Sequence, residues 1–328
     1  MVSLLEKINV VDAYKYAYLT TRLKGMENKL LTQEKFKRIL DSKNLDDLSQ
    51  LLEDTDYKKI PYKNLEELNN FLDEYFIQFL NNISVFIPSA VKDCIFVLKE
   101  YTKLQDFKLA VKSVITNDET LLDFLSPLTK IQPNINNLDF LNTQEFKEIK
   151  RNVLNYIEKK DFSQVSYELE NHFFKSIKKT INKRNLIMVK NFFRKKADII
   201  NIVIKIRSLL LGFDAENYLD YGFIEIKKIK NQKSIDALIS SLVGTEYHVI
   251  FLKTVNEFNK TGNYSVFDRV MDEFLMELLK KTKSSEPFGF GFVFWFIITK
   301  DREIRKLKAL FKIISDDLPK DYFEVFAW

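Results

Sequence analysis

Apolar residues recur along this chain at spacings of three and four, the period of helices with one buried face. Leu65, Leu68, Leu72, Tyr75 or Phe76, and Phe79 form one stripe; Leu45, Leu48, Leu51 and Leu52 form a shorter one. The pattern predicts helices over 12–26, over 64–79 and from Ser89 through 101 toward 114. Thr32 reads as an N-cap before Phe36, Ile39 and Leu40, and Asn44 as the cap of the next short helix. Further on, helices are expected over 118–125, over 143–159 and from Asp161 or Ser163 to about 181. The last third predicts 186–211 with Gly212 as its stop, a short basic helix before Lys230, and a helix from Ser234 to Gly244. Two more follow over 265–281 and 290–314. Loops are expected around 133–137 and at His248, after the Tyr247 turn.

Beneath this periodicity lies a longer one. A basic residue follows an aliphatic one by three positions in three predicted helices: Leu19 and Arg22, Leu109 and Lys112, Ile204 and Arg207. The first two basic residues are 90 positions apart, the second and third 95. A second match is gapless. NLDDLSQLLEDTDY, ending at Tyr57, aligns with SIDALISSLVGTEY, ending at Tyr247, at an offset of 190. Thr55-Asp56-Tyr57 thereby falls on Thr245-Glu246-Tyr247. Recurrence of this kind marks a set of similar units rather than one catalytic core. Units of about 90 residues with short helices leave apolar faces open, and packing several together buries them.

Composition sharpens the helical reading. Seven glycines and six prolines among 328 residues are about a third of average usage, which leaves little chain for tight turns, barrels or phosphate loops. Twenty-nine phenylalanines and 14 tyrosines promise an aromatic-rich interior. A single cysteine, Cys94, excludes a disulfide within the chain and fits a reducing compartment. No signal-like apolar run opens the sequence, and the longest apolar stretch, near 288–298, is far short of the about 20 residues a spanning helix needs. With 51 Lys and Arg against 46 Asp and Glu, the net charge of +5 is too mild to dictate a partner.

A search for chemistry returns little. His172 and His248 have no neighbours at metal-ligand spacing, and one cysteine cannot complete a zinc site with them. Neither a GxxxxGK[ST] nor a GxGxxG stretch occurs; Phe288-Gly289-Phe290-Gly291 reads as a tight helix entry packed on aromatics. No GxSxG elbow marks a nucleophile. No catalytic, cofactor-binding or metal-binding residue is therefore expected. The one charge block is Lys175, Lys178, Lys179, Lys183, Arg184, Lys190, Arg194, Lys195 and Lys196, with no acid between. It reads first as a solvated helix end and loop. The alternative is a free-standing helical-repeat adaptor that binds RNA or acidic proteins through Lys175 to Lys196. Phe173, Phe174, Phe192 and Phe193 beside it read as core rather than base-stacking platforms.

Three stretches resemble the C subunits of bacterial and archaeal V/A-type rotary ATPases, counterparts of the eukaryotic d subunit. YAYLTTRLKGMENKLLTQEKFKRIL with LLEDTDY is similar to the family's opening. ADIINIVIKIRSLLLG is similar to its third leading helix, with Asp198, Asn201 and Arg207 in a D-x-x-N-x-x-x-x-x-R pattern. PFGFGFVFWFIITKDREIRKLKALF is similar to its last helix, with Glu303, Arg305 and Leu307 in matching places. The middle departs most: Asp106-Phe107 stands for Asn-Leu, Lys112 for Arg, and no Thr-acid-Tyr turn is visible.

The resemblance implies an all-α protein, three similar helical lobes in a pseudo-threefold funnel. The expected lobes are 1–100, 101–196 and 197–286, with a closing helix and tail over 287–328. It implies a non-catalytic central-stalk component, a socket that couples the rotor shaft of the soluble motor to the membrane rotor ring for ion transport. Expected partners are the stalk subunits and the ring, with neither direct nucleotide nor nucleic acid. The expected place is cytoplasmic, peripheral on the membrane within a larger complex. Arg22, Arg207, Glu303 and Arg305 are the candidate partner contacts. The competing role for them is in hydrogen bonds and salt bridges that hold the repeats together.

Overall fold

The computed structural model describes residues 10–42, 47–58, 64–87, 92–125, 138–142, 146–183 and 187–320. Asn44, Ser89, the loop expected at 133–137 and Thr143 lie outside them. Among the described residues the fold is all helical, with no strand. In order come α1 (Val10–Glu27), α2 (Gln33–Leu40), α3 (Asp47–Leu51), α4 (Leu65–Ser84) and α5 (Lys92–Thr116). Two short 3-10 segments, Glu119–Phe124 and Asp139–Asn142, precede α6 (Lys150–Glu158), α7 (Phe162–Lys183) and α8 (Ile187–Leu211). The chain continues through α9 (Ile226–Lys230), α10 (Ile235–Ser241), α11 (Tyr247–Thr261), α12 (Ser265–Ser285) and α13 (Phe290–Ser315).

Thr32 caps α2 as expected, and Asn64 and Ser234, expected only as helix starts, act as caps too. Thr32 accepts from the Lys35 amide at 3.2 Å, Asn64 from Glu67 at 2.8 Å and Ser234 from Ala237 at 3.1 Å. Each satisfies a donor that the first helical turn leaves free. Asp161 opens α7 by accepting from the Gln164 amide at 3.2 Å. Gly212, Gly244 and Gly262 take positive φ at or beyond helix ends.

Three expectations change. The helix expected over 143–159 begins only at Lys150, because 146–149 forms a turn that drives Phe146 edge-on against Phe107, centroids 4.6 Å apart. His248 is not in a loop. It lies in the first turn of α11, whose Tyr247, Phe251 and Val255 continue one buried stripe at i, i+4 and i+8. The segment expected as a helix over 118–125 is the 3-10 stretch Glu119–Phe124.

The chain folds as two compact units. Unit 1 is Met1–Phe146 with Lys280–Trp328; unit 2 is Lys147–Leu279. Each is organised round one long helix. In unit 1, α13 is met by α1, α2, α4 and the 3-10 segment Glu119–Phe124. Its run from Phe290 to Ile297 is buried without a break, as expected of a helix covered on every side. In unit 2, α8 packs on α7 and α9 and buries Ile199, Ile202, Val203 and Ile206. Phe173, Phe174, Phe192 and Phe193 cluster here with T-shaped ring contacts, all within the core. Burial of each such ring stabilises the fold by about 1.5–3 kcal/mol.

A recurrence in element lengths underlies both units. Helices of 20, 22 and 21 residues (α4, α7, α12) each precede one of 25, 25 and 26 (α5, α8, α13). The starts of α5 and α8 lie 95 positions apart, the same offset that relates Lys112 to Arg207.

Candidate functional site: tyrosine clasps on buried carboxylates

The fourteen-residue match ends in the same local device in both units. Thr55 donates its hydroxyl to the Leu52 carbonyl at 2.6 Å and accepts from the Tyr57 amide at 3.1 Å. Thr245 donates to Leu242 at 2.7 Å and accepts from the Tyr247 amide at 3.3 Å. This hydroxyl-bridged turn fixes the direction in which the tyrosine leaves the chain.

Each tyrosine then reaches a buried carboxylate on a long helix. The Tyr57 hydroxyl donates to Glu303 Oε1 of α13 at 2.6 Å, and the Tyr247 hydroxyl to Asp198 Oδ2 of α8 at 2.9 Å. In both units the carboxylate also accepts backbone amides from the stretch leading into a short helix. Leu31 donates to Glu303 at 2.5 Å; Ile224 and Phe223 donate to Asp198 at 2.9 and 3.0 Å. A lysine three positions before each carboxylate pairs with the acid that precedes each tyrosine. Lys300 lies 3.6 Å from Asp56, and Lys195 lies 2.6 Å from Glu246. The K-x-x-acid arrangement of α13 thus repeats that of α8 with an offset of 105 positions.

The electrostatics differ. Lys300 is fully buried, bonds Glu303 at 2.7 Å and sits over the rings of Tyr57 and Tyr75 at 4.5 and 5.1 Å. Burial foremost, and the Glu303 carboxylate next, hold the Tyr57 phenol far above its ordinary titration range. Asp198 is held instead by two amides and the phenol, with the Arg194 charge acting on it as well. Burial pushes its carboxyl above the usual range, against the lowering pull of Ile224, Phe223 and Tyr247.

The loop on α8 is read by three side chains on one helical face, at i, i+4 and i+7. Arg194 donates to the Gly222 carbonyl at 2.9 Å and stacks over Phe223 at 3.9 Å. Asp198 holds the next two amides, and Asn201 pairs with both the amide and the carbonyl of Leu219 at 2.8 and 2.9 Å. Gly222 approaches so closely that an added Cβ would lie 2.9 Å from Asp198 Cγ and nearer still to Oδ1.

Among the described residues, the middle of the chain shows no such device. On α5 the positions equivalent to Lys195 and Asp198 are Glu100 and Lys103, the same charges in reverse order, paired with each other at 2.7 Å. The aromatic in the described turn before α6 is Phe146, which has no hydroxyl. The position of Asn201 is taken by Asp106, which accepts from Arg305 at 3.3 Å.

Of the four residues singled out as partner contacts, Glu303 is the centre of the unit 1 clasp. Arg305 bonds Asp301 at 3.1 Å as well as Asp106. Arg22 is exposed on α1, with its guanidinium 6.0 Å from the Phe86 ring, and Arg207 is half-buried on α8. Arg22, Glu303 and Arg305 belong to unit 1 and Arg207 to unit 2. In the basic block, Lys196 is buried and Lys195 and Arg194 are engaged inside unit 2, while Lys175 and Lys178 are exposed. Sequence reasoning does not single out Lys300 or Gly222, nor Arg194 apart from its block; the signal for Lys300 is its spacing to Glu303, which lysine-rich helices hide. Among the described residues no cluster of His, Cys, Asp and Glu could hold a metal ion, and no helix is long and apolar enough to cross a membrane.

The family described as ATP synthase (C/AC39) subunit matches residues 19–325. The chain belongs to that family. It is 26% identical over 338 aligned positions to the C subunit of the A-type ATP synthase of Methanocaldococcus jannaschii, covering 92% of this chain and 84% of the relative. The equivalent protein of Thermococcus kodakarensis is 24% identical over 337, covering 95% and 90%. The C/AC39 match takes in both clasps, from Leu31 and Tyr57 to Glu303. Membership makes this chain a non-catalytic subunit of a rotary ATPase.

Proposed function

We propose that this chain is a central-stalk socket of a V/A-type rotary ATPase. It receives the rotor shaft of the soluble motor and rests on the membrane rotor ring, passing torque between them as ions move and ATP is made or consumed. The observation that carries this reading is the C/AC39 match along almost the whole chain. The physics of the fold supports it. A torque-bearing part must resist twist, and long helices tied to short ones by buried polar clasps and aromatic packing are stiff.

In this proposal the body is a funnel of three lobes, 1–100, 101–196 and 197–286, closed by 287–328. Both inner boundaries fall inside long helices, α5 and α8, so adjoining lobes would share a continuous rod. Arg22 and Arg207 are the proposed partner contacts. Glu303 and Arg305 would serve partners indirectly, by holding α13 and the turns docked on it. The proposed place is the cytoplasmic membrane surface, peripheral and within the complex.

The test is affinity purification of the tagged chain from detergent-solubilised membranes, with mass spectrometry of what accompanies it. Stalk and ring subunits are expected, and their retention should survive a rise in salt. Recovery of RNA-binding proteins without rotor subunits, with steep loss at high salt, would overturn the reading in favour of the adaptor.

A further inference from the structure

The two clasps differ at one point on their rims. In unit 1, Lys35 of α2 forms a salt bridge with Asp54, in the turn before Tyr57. Counted from the helix caps, Thr32 and Glu225, the matching lysine in unit 2 is Lys228 of α9. At the offset of 190, the residue matching Asp54 is Gly244. Unit 2 therefore keeps the cation and lacks the carboxylate that covers it. Lys228 is exposed, and no described carboxylate lies within salt-bridge distance of it. Unit 2 has a groove of about 510 Å³ that Lys228 lines together with Phe223 and Val243, 45% and 65% exposed.

We propose that this groove docks an acidic segment of a partner protein. One carboxylate of that segment meets Lys228 as Asp54 meets Lys35, and a neighbouring apolar side chain lies across Phe223 and Val243. The unit 1 salt bridge is the internal template for the charge, and the two exposed apolar residues argue for a peptide over a small ion. Glu225 and Glu246 on the same rim oppose a polyanion, so RNA and an anionic lipid surface fit poorly. The inference goes beyond the socket reading and does not need it, since any protein partner of this chemistry would suffice.

The test places photoreactive benzoylphenylalanine at Val243 in the full chain within its native membranes, followed by irradiation and sequencing of the adduct. Expected is a protein adduct whose cross-linked peptide carries Asp or Glu beside an apolar residue. Lys228→Glu should lower its yield by about three- to tenfold, and Lys227→Glu, off the groove, by less than about twofold. Circular dichroism of each variant checks that the helices remain. A lipid or nucleic-acid adduct, a yield indifferent to Lys228→Glu, or no adduct above that from the same probe at exposed Lys260 would overturn the proposal. Co-purification of rotor subunits, read in parallel, reports on the socket separately: losing the adduct while keeping the subunits sinks only the groove.

Discussion

The clasps of units 1 and 2 share a turn, a tyrosine, a lysine and an acid, yet hold their charge differently. Glu303 shares its burial with a cation, Lys300, which itself has no exposure to water. Asp198 meets two amides and a phenol, and Lys195, three positions before it, is partly exposed and turned to Glu246. One local sequence motif therefore supports two electrostatic designs, and the helix that receives it decides which. In the middle of the chain the receiving helix differs: Glu100 and Lys103 stand in reverse order and pair with each other, and the described turn before α6 carries Phe146 in place of a tyrosine.

The sharpest break in this comparison is between the two lysines. Lys300→Met strips Glu303 of its buried counter-charge and should cost about 3–5 kcal/mol. Lys195→Met removes a partly exposed pair and should cost no more than about 1 kcal/mol. Chemical denaturation of both variants measures the gap. Equal losses would mean that the two clasps are electrostatically alike. Next in size is Gly222→Ala. Its Cβ would overlap the Asp198 carboxylate, so either the loop or the acid must shift, at about 1–3 kcal/mol. A thermal shift within error of the wild type would show that the close approach is not a constraint.

Much of this architecture is readable in the sequence. The helices, the Thr32 cap and the Thr-acid-Tyr match all rest on local chemistry that a sequence displays. The tyrosines' destinations do not. Tyr57 bonds a residue 246 positions away, and nothing near Tyr57 encodes that choice. The K-x-x-acid pairs that receive the tyrosines are ordinary surface spacing in a chain with 97 charged residues, and only burial makes Lys300 and Glu303 unusual. The repeat visible in sequence is anchored on Leu19 and Arg22 of α1. In the fold, the helix that plays for Tyr57 the part α8 plays for Tyr247 is α13, at the other end of the chain. Sequence order conceals this because the match between α8 and α13 lies in burial and charge, with few identities. His248 reads as a loop residue for a related reason: the turn ends in a tyrosine that is already the first residue of α11.

Paired hydroxyl deletions sharpen the comparison further. Tyr57→Phe and Tyr247→Phe each leave a buried carboxylate one donor short, at about 1–3 kcal/mol. The loss at Tyr247 should be the larger, because Glu303 retains a directly bonded cation, Lys300, and the Leu31 amide, whereas Asp198 retains two neutral amides and only the weaker pull of the Arg194 charge. Urea unfolding of the two variants gives the order, and a larger loss at Tyr57 would reverse the argument.

The smallest expected effect is one of pH. The folded-state pKa of Asp198 is raised above its unfolded value of 3.8, with burial as the leading cause. In the window between the two values, the folded chain binds more protons than the unfolded one, so this group's contribution to stability falls as pH rises. The contribution is fully present below the unfolded pKa and is lost on passing through the folded one. Other carboxylates dominate the overall acid response, so the readout is the difference between wild type and Asp198→Asn. Asparagine carries no charge at any pH, and the lost acceptor costs roughly the same throughout. The variant should therefore be most damaging below the unfolded pKa and less so near neutrality, by an amount under about 1.4 kcal/mol for each unit of raised pKa. A penalty that is flat with pH, or that grows toward neutrality, would mean that the amides and phenol outweigh burial at this carboxylate.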